Sequence, residues 1–345
     1  MSEALPFASM PGPAPAPSSR PVAPVWPFAS AALLLAASAA ALAGWAPVGF
    51  SLATVFLFAG PHNWMEFRVL LTRMPARWGP LAVYFATGLG GMAALAGSFI
   101  AMRFLGEAAG WERETWLTAS AVWNSALILW LAALIHLRGR QPPARDWSWS
   151  WAVAFALIAA VWMWPGWWDV FLVYLHPLVA LWFLDRELAR SRPAWLGAYR
   201  LCLSAVPGLL ALLWWRLADA PDLPGTDALT VRLAWHAGAG MLAGVSTHLL
   251  VATHAFLEML HYGVWLLAMP LLAMRSAPWR WDETPLGRRS PGWRQALTCV
   301  FTAGAAVVVT LWAGFLADYP ATRDVYFTLA LAHVLAEAPF LLRML

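Results

Sequence analysis

Ten stretches of this chain are apolar over roughly the 20 residues that a helix needs to cross a bilayer, with short connections between most of them. They cover residues 27–47, 48–72, 79–105, 115–138, 147–164, 166–185, 195–217, 228–275, 295–317 and 321–343. Hydrocarbon offers no water to backbone N–H and C=O groups, so runs of this kind must satisfy their hydrogen bonds internally, as helices. The expectation is an all-α, polytopic integral membrane bundle of about ten transmembrane helices, forming one domain over residues 27–345. Of the 345 residues, 61% are apolar and 12% charged, half the charge of a soluble domain at about 25%. Residues 1–26 are rich in Pro, Ala and Ser and read as a disordered tail, without the basic-then-apolar layout of a signal peptide.

All 22 basic residues are Arg, and most fall between the apolar runs. Arg20, then Arg68/Arg73/Arg77, Arg138/Arg140/Arg145, Arg186/Arg190/Arg192/Arg200 and Arg275/Arg280/Arg288/Arg289/Arg294 occupy alternate connections, which the positive-inside rule assigns to the cytoplasm together with both termini. Arg103 and Arg113 run against this pattern. The alternation holds through 275–294 only if the long run at 228–275 crosses an odd number of times, so it is read as one crossing preceded by a partial helix. The all-Arg, Ala-rich composition suits a GC-rich genome and a bacterial inner membrane. Arg clusters that punctuate apolar runs describe topology and exclude a nucleic-acid reader, which needs a basic face on a soluble module. Cys202 and Cys299 lie inside apolar runs with no Cys or His at metal spacing and read as buried packing thiols. The Trp residues gather at run ends, as in WSWSW at 147–151 and WMWPGWW at 162–168, as expected of interfacial belts.

Ionisable groups inside a span are costly and mark function by default. Three of the runs carry His-x-x-x-Glu: His62/Glu66, His254/Glu258 and His333/Glu337. Four residues of helix advance only about 40°, so each pair shares one face, one turn apart. His261 extends the second pair, and Glu258-x-x-His261 has the spacing used in di-iron carboxylate bundles. His176, followed by Pro177, lies at a depth similar to His62 and His333, near the middle of the core, with His254, Glu258 and His261 somewhat toward the outer half. His236 and His248 rank below these, and His136 beside Arg138 reads as interfacial.

Imidazoles with carboxylates suit iron, manganese or zinc. The expected ligands are His62, His176, His254, Glu258, His261 and His333, with Glu66, Glu258 and Glu337 bridging metal, binding it or orienting ligating imidazoles as catalytic groups. A dry, Trp- and Phe-rich interior favours redox metal, one or two non-haem iron ions. The function expected is a membrane metal-dependent oxidoreductase or oxygenase acting on an apolar lipid or isoprenoid, with lipid as surroundings and an electron donor as partner. Haem with bis-His ligation is a further reading, although it gives the partnering Glu residues no task. Two other functions stand beside these: a proton- or cation-coupled transporter using Glu66, Glu258 and Glu337, and a haem- or metal-binding subunit of a membrane complex.

Pro61, His62 and Glu66 resemble the Pro-His-x-x-x-acid element of the Brp/Blh carotene-cleaving membrane proteins. Those are polytopic and carry His and acidic residues inside spans. The resemblance covers this one motif, with Asn63, Trp64 and Met65 standing where that family favours small residues. It implies a membrane oxygenase and gives carotene as an example of a substrate. The HxxxH and HxxHH boxes of membrane desaturases are absent from the sequence.

Overall fold

The computed structural model describes residues 24–142, 144–273 and 280–344. The tail read at 1–26 lies outside the described residues except for its last three, and so does Arg275. Among the described residues the chain is helical and has no strand: α1 (Trp26–Trp45), α2 (Pro47–Arg73), α3 (Ala82–Ala108), α4 (Arg113–Gly139), α5 (Trp149–Met163), α6 (Pro165–Ser191), α7 (Pro193–Leu217), α8 (Ala228–His236), α9 (Thr247–Gly263), α10 (Met269–Ala273), α11 (Pro291–Ala317) and α12 (Tyr319–Leu342). It is an all-α polytopic bundle.

Each apolar run of the sequence becomes a helix, and eight of these are long and apolar enough to cross a membrane. The two that fall short do so for different reasons. At 27 residues α2 has the length, but it carries His62, Glu66, Arg68 and Arg73, whereas α5 is apolar but only 15 residues long. The run at 228–275 resolves into the short α8 and one continuous crossing-length helix, Thr247–Leu272. That helix passes from α9 into α10 through a π-helical stretch, Val264–Ala268. Pro270 lies just beyond it, and a residue without an N–H favours a local change of hydrogen-bond register.

Single residues join several helices: Ala46 between α1 and α2, Trp164 between α5 and α6, and Arg192 between α6 and α7. In each case Pro opens the next helix. Pro pushes the residue before it out of the helical region and suits the first helical position, so one residue both stops one helix and starts another. Asp318 performs a similar turn between α11 and α12, capping α12 by accepting from the Ala321 N–H at 3.0 Å.

The buried centre of the bundle is α9, where polar and apolar side chains alike are inaccessible: His254, Ala255, Phe256, Leu257 and Glu258 are all buried. A helix covered on every side sits in the middle of a protein, and α9 packs against α1, α2, α6, α7 and α8. On the other flank, α12 packs against α2, α3, α4 and α11. Small residues allow close approach: a Cβ at Gly88 of α3 would come within 2.9 Å of Pro339 of α12. Most Trp residues near helix ends, including Trp45, Trp149, Trp164 and Trp215, are exposed, as belts require, whereas Trp123, Trp130, Trp265 and Trp281 are buried.

The N-terminal ends of α2, α6, α9 and α12 meet at one end of the bundle. There the His248 Nε2–H donates to the Gly44 carbonyl at 3.3 Å, the Tyr319 hydroxyl donates to the Leu52 carbonyl at 3.3 Å, and Arg232 of α8 pairs with Asp324 of α12. Gly238, at φ 98°, turns the chain between α8 and α9 at this end, in a left-handed conformation that glycine adopts without strain. These four helices start together and carry the candidate site.

Candidate metal centre

Two helices each contribute a His and a Glu one turn apart: His62 and Glu66 from α2, His333 and Glu337 from α12. Single imidazoles come from α6, as His176, and from α9, as His261. Donor atoms of His62, Glu66, His261 and His333 all lie within 4.8 Å of one another, and so do those of His176, His261, His333 and Glu337. The groups share His261 and His333, so the six residues form one continuous constellation.

The four imidazoles close a ring. Centroids are 5.2 Å apart for His62–His261, 4.6 Å for His261–His176, 5.8 Å for His176–His333 and 5.2 Å for His333–His62. Glu66 and Glu337 face each other, one turn beyond their histidines. About 21–23 Å of helix separates His62, His261 and His333 from the starts of their helices, and about 17 Å separates His176 from the start of α6. The constellation therefore lies deep within a hydrocarbon core about 30 Å thick.

Proline explains the local form of these helices. Pro61, Pro177 and Pro339 lie inside helices, next to His62, next to His176 and two residues beyond Glu337. Each removes one intrahelical hydrogen bond and loosens a carbonyl of the preceding turn. The His62 Nδ1–H donates to the Phe58 carbonyl at 3.1 Å. Because a carbonyl can only accept, this contact puts the proton on Nδ1 and leaves the Nε2 lone pair free, the arrangement of a ligating histidine. At the other end of the site the Tyr84 hydroxyl donates to the Pro339 carbonyl at 2.6 Å and anchors the last turns of α12.

Burial without partners sets this cluster apart. His62, Glu66, His261 and Glu337 are at most 3% exposed. Both ring nitrogens of His261, both oxygens of Glu66 and Oε1 of Glu337 receive no hydrogen bond from another kind of side chain or from backbone among the described residues, and His333 has only the Ala330 backbone beside it. Buried polar atoms are nearly always satisfied, and leaving one unmet costs about 1–3 kcal/mol. Lone pairs converging from four helices would be satisfied together by a cation. Two carboxylates and four neutral imidazoles carry two negative charges when both acids are ionised, which suits a divalent ion, and the mixed N/O set fits iron, manganese or zinc. Neither Cys202 nor Cys299 belongs to either group, and neither is the buried thiol expected of it: Cys202 is half-buried and Cys299 is exposed on α11.

The structure places His254 and Glu258 elsewhere. Both face the same cavity, but Glu258 Oε1 accepts from the Tyr262 hydroxyl at 2.7 Å, and the His254 ring lies 4.9 Å from His236 and 6.2 Å from Tyr174. His254, Glu258 and His261 do share one stripe of α9, but the stripe runs about 10 Å from end to end, longer than one coordination sphere. His248 holds α9 to α1, and His136 is half-buried beside Trp151 in the last turn of α4.

Tyr262, which the sequence pattern does not single out, touches the site, with its ring 4.5 Å from that of His62. Arg323, buried in α12 with its guanidinium 4.6 Å above the Phe327 ring, is also new. An arginine inside an apolar run was the available signal for it. From the common helix ends inward, Arg323, His236 and His254, then Glu258 and Tyr262, form a polar ladder that ends on His62.

The constellation opens onto a cavity of about 530 Å³. His62, His176, His261 and His333 line one part of it, and Trp123, Trp130, Leu127, Leu172 and Leu335 line much of the rest. Its volume is that of a small-molecule site, about 300–1,000 Å³. Comparison with protein-family models, with curated proteins and with solved structures finds no match for this chain.

Proposed function

We propose that this protein is a membrane-embedded, metal-dependent oxidoreductase, a non-haem iron oxygenase whose substrate is an apolar lipid or isoprenoid. The observation that carries the reading is the ring of four imidazoles, His62 and His261 buried and His176 and His333 half-buried, with the buried carboxylates of Glu66 and Glu337 beside it, on the wall of a largely apolar cavity. His62, His176, His261 and His333 would hold the ion, and Glu66 and Glu337 would complete its sphere or orient the imidazoles. Iron bound there would supply dioxygen binding and activation. The aromatic walls exclude water, and the facing carboxyls of Glu66 and Glu337 hold a proton between them when one is protonated. A haem held by two of these imidazoles would give Glu66 and Glu337 no task, which favours non-haem iron over haem. The Pro61/His62/Glu66 likeness to carotene-cleaving oxygenases points the same way, with an isoprenoid as substrate class.

The polar ladder from Arg323 to Tyr262 supports a second reading, proton or cation carriage through the same residues. Metal content separates the two. Detergent-purified protein should contain near-stoichiometric iron and show no haem Soret band, and His333→Ala should lose that iron while remaining folded. Metal-free wild-type protein after reconstitution with ferrous iron would overturn the oxygenase reading and favour transport. From the Arg distribution we place the Arg-rich helix ends in the cytoplasm of a bacterial cell, which puts the mouth of the ladder on the opposite side.

A further inference from the structure

Away from the imidazoles, the cavity has a second polar region at its edge, formed by Ser120, Asn124 and Asp169. Asp169 lies at the start of α6, four residues or about 6 Å into the helix, and is exposed. The Asn124 amide donates to Asp169 Oδ1 at 2.9 Å and the Ser120 hydroxyl donates to Oδ2 at 3.2 Å, so the carboxylate is held in place by two neutral donors. Asn124 is only 1% exposed, and its Oδ1 has no partner. Among the described residues no Arg forms an ion pair with Asp169.

Helix geometry connects this cluster to the candidate metal centre. Asp169 and His176 are seven residues apart on α6, which returns the helix to nearly the same face about 10 Å further in. On α4, Ser120 and Asn124 begin a stripe that Leu127 and Leu131 continue along the cavity wall. The cavity therefore has an acceptor-rich polar end close to the membrane boundary, an apolar middle, and a ligating His about 10 Å deeper.

We infer that the cavity binds a single-chain amphiphile by a hydrogen-bond-donating head group, a hydroxyl or an amine, held at the Asp169 carboxylate with its apolar chain running to His176. This names the substrate class of the oxygenase reading and rests on it. The Asp169 carboxylate, fixed by Asn124 and Ser120, offers the remaining acceptor positions of its two oxygens, which receive an O–H or N–H and repel a carboxylate head. The orientation matches that of such a molecule in a bilayer, with its head at the boundary and its chain inside. The head group also fixes depth: the chain position presented to the imidazoles lies about 10 Å from it.

The test is binding of cetyl alcohol, cetylamine, palmitate and hexadecane to the full-length chain in detergent, read by native mass spectrometry, with metal measured on the same samples. The alcohol, the amine or both should bind at least about tenfold more tightly than palmitate and hexadecane, and Asp169→Ala should remove that preference while leaving metal content unchanged. Preference for the alcohol alone identifies a hydroxyl head, and preference for the amine alone an ammonium head. Asp169→Asn keeps size and a hydrogen-bond acceptor, so it should weaken the amine more than the alcohol, and it guards against a folding defect in the alanine variant. Equal binding of all four probes, tighter binding of palmitate, or an undiminished preference in Asp169→Ala would overturn the inference. Protein that discriminates the probes but takes up no metal would overturn the oxygenase reading and leave the binding assignment standing.

Discussion

His261 and His333 belong to both donor groups, and His62, Glu66, His176 and Glu337 each belong to one. Loss of a shared ligand disrupts every arrangement an ion can adopt there, so His261→Ala should weaken metal binding by at least about 100-fold. His254→Ala should retain metal, because its ring lies against His236 and Tyr174; elemental analysis after dialysis against a weak chelator compares the two. The facing carboxyls make a second expectation. Without metal, two buried acids with no other partner oppose each other, so Glu337→Gln should stabilise the metal-free protein and destabilise the loaded one. A calorimetric comparison with and without iron should show that crossover, of about 1–3 kcal/mol in each direction. A sequence gives the angular position of a side chain on its helix, which is why His62/Glu66 and His333/Glu337 were legible as units. It does not give which helices meet at which depth. His254 and His261 were equivalent on the α9 stripe, and only the convergence of His62, His176 and His333 on the inner end of that stripe separates them.

At the scale of the element, the site depends on how closely α12 can approach α3. Gly88 makes that approach possible, since a side chain there would strike Pro339, two residues beyond Glu337. Gly88→Val should cost about 1–3 kcal/mol by overpacking and weaken iron binding without touching a ligand. Thermal unfolding and metal titration of this variant read the two effects, and Gly90→Val, at a position with nothing within 4 Å, serves as its control. Helix existence was legible from hydropathy throughout, including the division of 228–275 into a partial helix and one long helix. The π-helical stretch at Val264–Ala268 was not, because it depends on tertiary contact as well as on Pro270: Leu35 of α1 seats against Gly263 where the register begins to change. The polar cluster at Asp169 also went unread, since its meaning lies in the pairing of α4 with α6.

For the whole molecule, charge gives the two ends of the bundle different characters. Arg73, Arg138, Arg190, Arg200, Arg288 and Arg289 gather toward the ends of helices opposite the common start of α2, α6, α9 and α12. Some of this charge is tied into structure, as Arg73 pairs with Glu187 at 2.7 Å and Arg200 with Asp185 at 2.8 Å. Positive charge is retained in the cytoplasm during insertion, and pairing after folding does not alter that bias. A cysteine replacing Arg289, in a variant lacking Cys202 and Cys299, should therefore react with a membrane-impermeant maleimide only after cells are opened. A cysteine replacing Asp222, in the α7–α8 connection, should react in intact cells. Asp222 accepts from the Thr247 N–H at 2.8 Å and helps start α9, so Asp219, which has no such bond among the described residues, provides a second position to label. The reverse labelling pattern would invert the bundle and bring the Asp169 mouth to the cytoplasmic leaflet. Labelling of both loops from one side would break the odd count of crossings between them, and with it the common depth at which α9 and α12 present His261 and His333.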